Sequence, residues 1–126
     1  MHKKTLTAIA VILMIAGTFL YFNNISANTS EVTVSGEVID VSCYLGSGKD
    51  GIGKDHLDCA IMCAKAGSAL GILTSSGDVY FPVGPMGKNN NEKLLDYVGN
   101  KVEVTGTKLN QGNLLGIKIA SIKKTE

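Results

Sequence analysis

Two patterns of apolar residues divide the chain. From Thr5 to Phe22 the run TLTAIAVILMIAGTFLYF carries no charge over eighteen residues. As a helix rising 1.5 Å per residue it spans about 27 Å, enough to cross the hydrocarbon core of a bilayer. Beyond Ser30 the apolar residues come in short runs. Glu31–Leu45 (EVTVSGEVIDVSCYL) alternates around Val32, Val34, Val38 and Val41, which predicts a long first strand with Gly36 as a bulge or bend. Gly46–Gly53 predicts a glycine-rich loop, and Asp55–Ala69, alanine-rich and without a β-branched run, predicts a helix stopped at Gly67. Leu70–Thr74 and Val79–Val83, split by Ser-Ser-Gly-Asp, form a hairpin, with Pro82 at a strand end or edge. Glu92–Val98 predicts a short amphipathic helix, and Lys101–Leu109 with Leu114–Ile122 a last hairpin.

Five strands, a helical insert after the first and a short helix before the fourth give the order of an OB-fold, a small Greek-key barrel. The expected class is therefore mainly β, preceded by an N-terminal transmembrane helix. Residues 1–23 are expected to be the membrane anchor or signal segment, 24–30 a polar linker, and 31–126 the domain.

Anchor and cleaved signal are rival readings of the first segment. A signal has a shorter apolar region and a small-x-small cleavage site. The best cleavage position follows Ala27, but Ile25 stands where a small residue belongs, and Tyr21–Phe22 resembles an interfacial aromatic belt. An uncleaved anchor is the favoured reading. In either case Lys3 and Lys4 stay inside and the domain lies on the periplasmic or extracellular side, secreted if the segment is cleaved. No cysteine follows closely, so a lipoprotein anchor has no support.

Charge narrows the partners. The basic residues are all lysine; ten of the twelve fall in the exported part against eleven acids, a balance of about −1. No basic face emerges, which argues against nucleic acid held through its phosphates. The expected partners are the membrane, through the N-terminal helix, and a protein of the envelope.

Export gives the cysteines their interest. All three, with the single exported histidine, fall in one window: Cys43, then His56, Cys59 and Cys63 in H-x2-C-x3-C. On a helix His56, Cys59 and Cys63 fall within about 60° of arc, and Cys43 reaches that face if the glycine loop folds over. Three thiols and one imidazole are the ligand set of a closed tetrahedral site. Two alternatives stand beside it. Exported cysteines commonly pair, and Cys43–Cys59 or Cys43–Cys63 could form a disulfide that stabilises an interaction domain without metal and leaves one thiol over. A reactive Cys59, activated by His56 and a helix N-terminus, is the other, although no acid, oxyanion hole or pocket supports an enzyme.

Thiolate and imidazole suit zinc, copper(I) or an iron–sulfur cluster. Zinc is the plainest choice. A copper or iron–sulfur centre implies instead a redox or metal-transfer protein serving a membrane complex. Blue copper needs a second histidine, and the haem and thioredoxin-like motifs are absent. Met62 and Met86 are candidate soft helpers, but Met62 lies 100° from Cys63 and reads more readily as core. Asp58 or Asp40 could orient the imidazole as a carboxylate acceptor.

The run from Val38 to Leu73, with Asp40, Cys43-Tyr44-Leu45, Gly48, Gly51, His56, Cys59-Ala60, Cys63, Gly67 and Leu70-Gly71-Ile72-Leu73, resembles an element of small exported bacterial OB-fold proteins of uncharacterised function. The segments VTVSGEVIDV and GNKVEVTGTKL resemble the same group, and the likeness covers Glu31–Lys124. It implies the fold, and that Cys43, His56, Cys59 and Cys63 belong together. It implies no activity.

Overall fold

The computed structural model describes residues 30–85 and 90–125. The expected anchor, most of the linker and Met86 lie outside the described residues. Strand β1 (Glu31–Asp40) is followed by helix α1 (Val41–Ser47), 3-10 turns at Gly48–Gly51 and Lys54–His56, and helix α2 (Leu57–Lys65). Strands β2 (Leu70–Leu73) and β3 (Val79–Pro82) come next, then a 3-10 turn at Leu95–Tyr97, β4 (Lys101–Gln111) and β5 (Leu114–Lys124).

The five strands make a mixed sheet that closes on itself in the order β1-β2-β3-β5-β4. Neighbours are antiparallel except β3 and β5, which run parallel with Tyr80 opposite Leu115. Strand β1 serves two partners: Glu31–Glu37 pairs with β4 and Glu37–Asp40 with β2. The change of partner falls at Glu37, next to Gly36, where a Cβ would collide with the Leu73 carbonyl oxygen. Glycine is thus what lets the strand bend sharply enough to close the barrel.

Alternate residues of the strands point inward. Val38, Leu70, Ile72, Val102, Val104 and Ile117 are wholly buried, and Leu94 plugs the same cluster. Burying one such side chain stabilises the fold by about 1.5–3 kcal/mol. Ala60 and Ala64 of α2 join this core. Being one turn apart, they lay one narrow face of the helix on the barrel.

Three boundaries differ from expectation. Strand β1 ends at Asp40 rather than Leu45, because the Asp40 side chain accepts the backbone N–H of Cys43 and starts a helix there. Val41 and Leu45, which continue the apolar alternation, are instead residues of α1. The glycine-rich stretch is partly helical, so the insert holds two short helices rather than one. The helix expected over Glu92–Val98 is only a 3-10 turn. The Asn91 carbonyl accepts the N–H groups of both Leu94 and Leu95, and Gly99 at φ 70° ends the turn. Among the described residues no helix is long and apolar enough to cross a membrane.

Candidate metal centre

Each cysteine is positioned by the end of a short helix. Cys43 lies in the first turn of α1, whose start is fixed three ways. Asp40 Oδ1 accepts the Cys43 N–H at 2.8 Å. The Val41 N–H donates to the Ala69 carbonyl at 2.9 Å, and the Ser68 hydroxyl donates to Ser42 Oγ at 3.1 Å. These last two bonds tie α1 to the segment that leaves α2.

Helix α2 closes with a Schellman motif around Gly67, at φ 107°. The Ser68 N–H reaches back to the Cys63 carbonyl at 2.9 Å and the Gly67 N–H to Ala64 at 3.1 Å. Asn91 then grips the exit: its Nδ2 donates to the Ser68 carbonyl at 2.6 Å and its Oδ1 accepts from Leu70 N–H at 2.9 Å. Cys59 and Cys63 each precede a buried alanine, so they lie on the flank of the buried face. There they are half-buried, as Cys43 is.

The loop between the helices folds over α1, as the Cys43 reading requires. Gly51 is buried against it, and a Cβ at that position would stand 2.3 Å from the Cys43 carbonyl oxygen. The Gly53 N–H donates to Glu37 Oε1 at 2.9 Å, which pins the loop to β1. The Gly53 carbonyl in turn accepts the His56 N–H at 3.3 Å.

The result is a cluster. The sulfurs of Cys43, Cys59 and Cys63 all lie within 4.8 Å of one another, and all three are free thiols. A tetrahedral zinc site with Zn–S bonds of about 2.3 Å has S···S edges of about 3.8 Å, so modest side-chain rotation brings the three into ligand geometry. The three cysteines could hold a metal ion.

His56 does not join this group, whose mutually close ligand atoms are the three sulfurs. Its Nε2 is nonetheless buried and has no hydrogen-bond partner. A buried polar atom left so costs about 1–3 kcal/mol. Of the carboxylates, Asp58 is exposed in the first turn of α2, whereas Asp40 is wholly buried and faces Cys43. Met62, expected in the core, is 66% exposed. It sits on the side of α2 away from Ala60 and Ala64.

The electrostatics set these groups against one another. Burial pushes the Asp40 carboxyl up, but hydrogen bonds from Ser68, from the backbone and thiol of Cys43 and from the Ser42 backbone more than offset this and hold its pKa below the ordinary value. Its second oxygen, Oδ2, still lacks a partner in good hydrogen-bond geometry. Cys43 is pushed up to about 12, first by desolvation, then by the hydrogen bond and charge of Asp40 and by the neighbouring thiols. Cys63 is also raised, chiefly by its hydrogen bond to Cys59. A thiol activated as a nucleophile has its pKa lowered; these move the other way. Cys43 and Cys63, both raised in part by neighbouring charge, lie where a bound cation would favour their thiolate forms.

The sequence reading missed Asp40 as a helix cap, Gly51 as the floor under Cys43 and Ser68 as the link between the helices. An Asp three residues ahead of the cysteine is a capping signal, but the valines around it read as strand. No family model, no curated protein and no solved structure matches the chain.

Proposed function

We propose that this chain is an exported domain, anchored by residues 5–22, whose barrel is an OB-fold that carries one metal ion on Cys43, Cys59, Cys63 and His56. The observation that carries the proposal is the convergence of three free sulfurs within 4.8 Å, from two helices and across a folded-over loop. The buried, unpartnered Nε2 of His56 supports it as the fourth ligand, because a metal bond supplies the missing partner. Strand order and the parallel β3–β5 pair support the OB-fold.

Zinc is the metal proposed first. It adds no redox chemistry. It cross-links α1, the loop and α2, elements that bury few large apolar side chains of their own, and so fixes the insert on the barrel as a binding surface for a protein partner. Metal analysis of protein purified without added metal tests this, together with a thiol count. One zinc per chain and three free thiols after denaturation are expected. No stoichiometric metal, with two thiols oxidised, overturns it in favour of a disulfide-stabilised interaction domain.

One observation favours a second reading. Three sulfurs gather without an imidazole nitrogen among them, and all three cysteines are half-buried. A three-sulfur site suits copper(I), and an accessible one suits transfer. Copper(I) retained in competition with a soft chelator, and zinc not retained, would decide for a metal-transfer protein serving a membrane complex.

A further inference from the structure

Three of the five large apolar side chains exposed among the described residues, Val83, Leu109 and Leu114, gather at one place. With Phe81 and Leu115 they line an open groove of about 480 Å³ where the tip of the β4–β5 hairpin meets β3. Its remaining lining, Asn110, Gln111 and Gly116, carries no charge. One lysine flanks it on the same face: Lys118, opposite Thr107, lies two residues beyond Gly116 in β5.

The groove lies beside the point where the chain enters the domain. The Ser30 carbonyl accepts the Lys108 N–H at 3.4 Å, and Glu31 pairs with Thr107. The segment expected to lie in the bilayer ends seven residues before Ser30, at residue 23. Seven extended residues reach at most about 25 Å. With residues 1–23 as the anchor, the hairpin end of the barrel lies within about 25 Å of the membrane surface, whatever path the linker takes.

We propose that this groove rests on the bilayer, with Leu109, Leu114 and Val83 at the boundary between headgroups and acyl chains and Lys118 against lipid phosphates. The inference rests on the anchor reading above. Uncharged, apolar and lysine-flanked, the surface matches an interfacial membrane contact. The docking also orients the site. Asp40 ends the ten-residue β1 at the opposite end from Glu31, and Cys43 lies just beyond it. The cysteine cluster is thus carried away from the lipid, into the exported compartment, where a partner can reach it.

The chain contains no tryptophan, so Leu114→Trp in the full-length protein is a single reporter at a 66% exposed position. Reconstituted in vesicles of phosphatidylethanolamine and phosphatidylglycerol, its fluorescence is expected to fall at least twofold when the acyl chains are brominated. Leu109→Trp should behave alike, while Leu45→Trp, 78% exposed at the cysteine end, should not respond. A chain that floats with the vesicles but shows no quenching at either reporter overturns the groove contact and leaves the anchor standing. A chain that fails to float overturns both. Reporters shielded from lipid and from aqueous iodide alike, with dimers captured by cross-linking, assign the groove to a second copy and also overturn the proposal.

Discussion

Asp40 is joined to Cys43 twice: its Oδ1 accepts the Cys43 backbone N–H at 2.8 Å, and its buried charge raises the pKa of the same residue's thiol. One carboxylate therefore starts helix α1 and adds to the desolvation that keeps the first cysteine protonated. Asp40→Asn keeps the capping oxygen and removes the charge. The Cys43 pKa should fall from about 12, and each unit of fall gives about tenfold more thiolate at a fixed pH below it. Iodoacetamide labelling of metal-free protein at pH 8.5, followed peptide by peptide, should show Cys43 reacting about tenfold faster. An unchanged rate would mean that the Asp40 charge does not govern this thiol. Asp40→Ala removes the cap as well and should cost at least about 1 kcal/mol in urea unfolding.

The same shifts predict how stability depends on pH. Asp40 has its folded pKa below the unfolded value of 3.8, so the folded state binds the proton less readily than the unfolded one. Its contribution is present above about pH 4 and is lost as the pH falls through the folded value. Cys43 has its folded pKa raised from 9.0 to about 12. Its contribution is full below about pH 9 and disappears as the pH rises toward 12. Metal-free protein should lose stability from pH 9 upward in thermal melts. Metal-loaded protein, whose ligands are already deprotonated, should lose far less.

How much of this was legible in the sequence can be argued residue by residue. The alternation of Val32, Val34 and Val38, the glycine turns and the two hairpins read directly, because period-two burial is a property of neighbouring residues. The helical spacing of Cys59 and Cys63 read for the same reason. The turn at Asp40 did not. Val41 and Leu45 fit a strand and a helix equally well, and only a three-dimensional neighbour, the Ala69 carbonyl that takes the Val41 N–H, decides between them. Nor could spacing reveal that Gly51 must touch Cys43, since that contact depends on how the loop folds back. Met62 was misplaced because the buried face of α2 is made by two alanines, small side chains that carry little apolar signal.

Gly51→Ala tests whether that loop contact controls the site. The added Cβ would collide with the Cys43 carbonyl oxygen, and overpacking of this kind costs typically 1–3 kcal/mol. The strain falls on α1 and the loop rather than on the strands. Far-UV circular dichroism should keep its β signature while zinc affinity, measured by competition with a chromophoric chelator, drops about tenfold or more. A full loss of β signal would place Gly51 in the barrel's own stability instead.

His56 separates a closed four-ligand site from a three-sulfur one. If its imidazole completes the coordination, His56→Ala opens a position for water, and zinc affinity should fall by at least the 10–100-fold typical of losing even an outer-shell partner. Cys59→Ser, which removes a sulfur from the cluster, should cost more than His56→Ala. Cobalt substitution gives the coordination independently of affinity: wild type should show intense tetrahedral d–d bands, and His56→Ala should shift them while keeping three sulfur-to-metal charge-transfer contributions. Metal-free His56→Ala offers a second check, since it also removes the buried unpartnered Nε2. It should be no less stable than metal-free wild type, so the substitution hurts only the loaded form. Equal zinc affinity and identical cobalt spectra for wild type and His56→Ala would exclude the imidazole as a ligand and leave Cys43, Cys59 and Cys63 to bind the metal as a three-sulfur site.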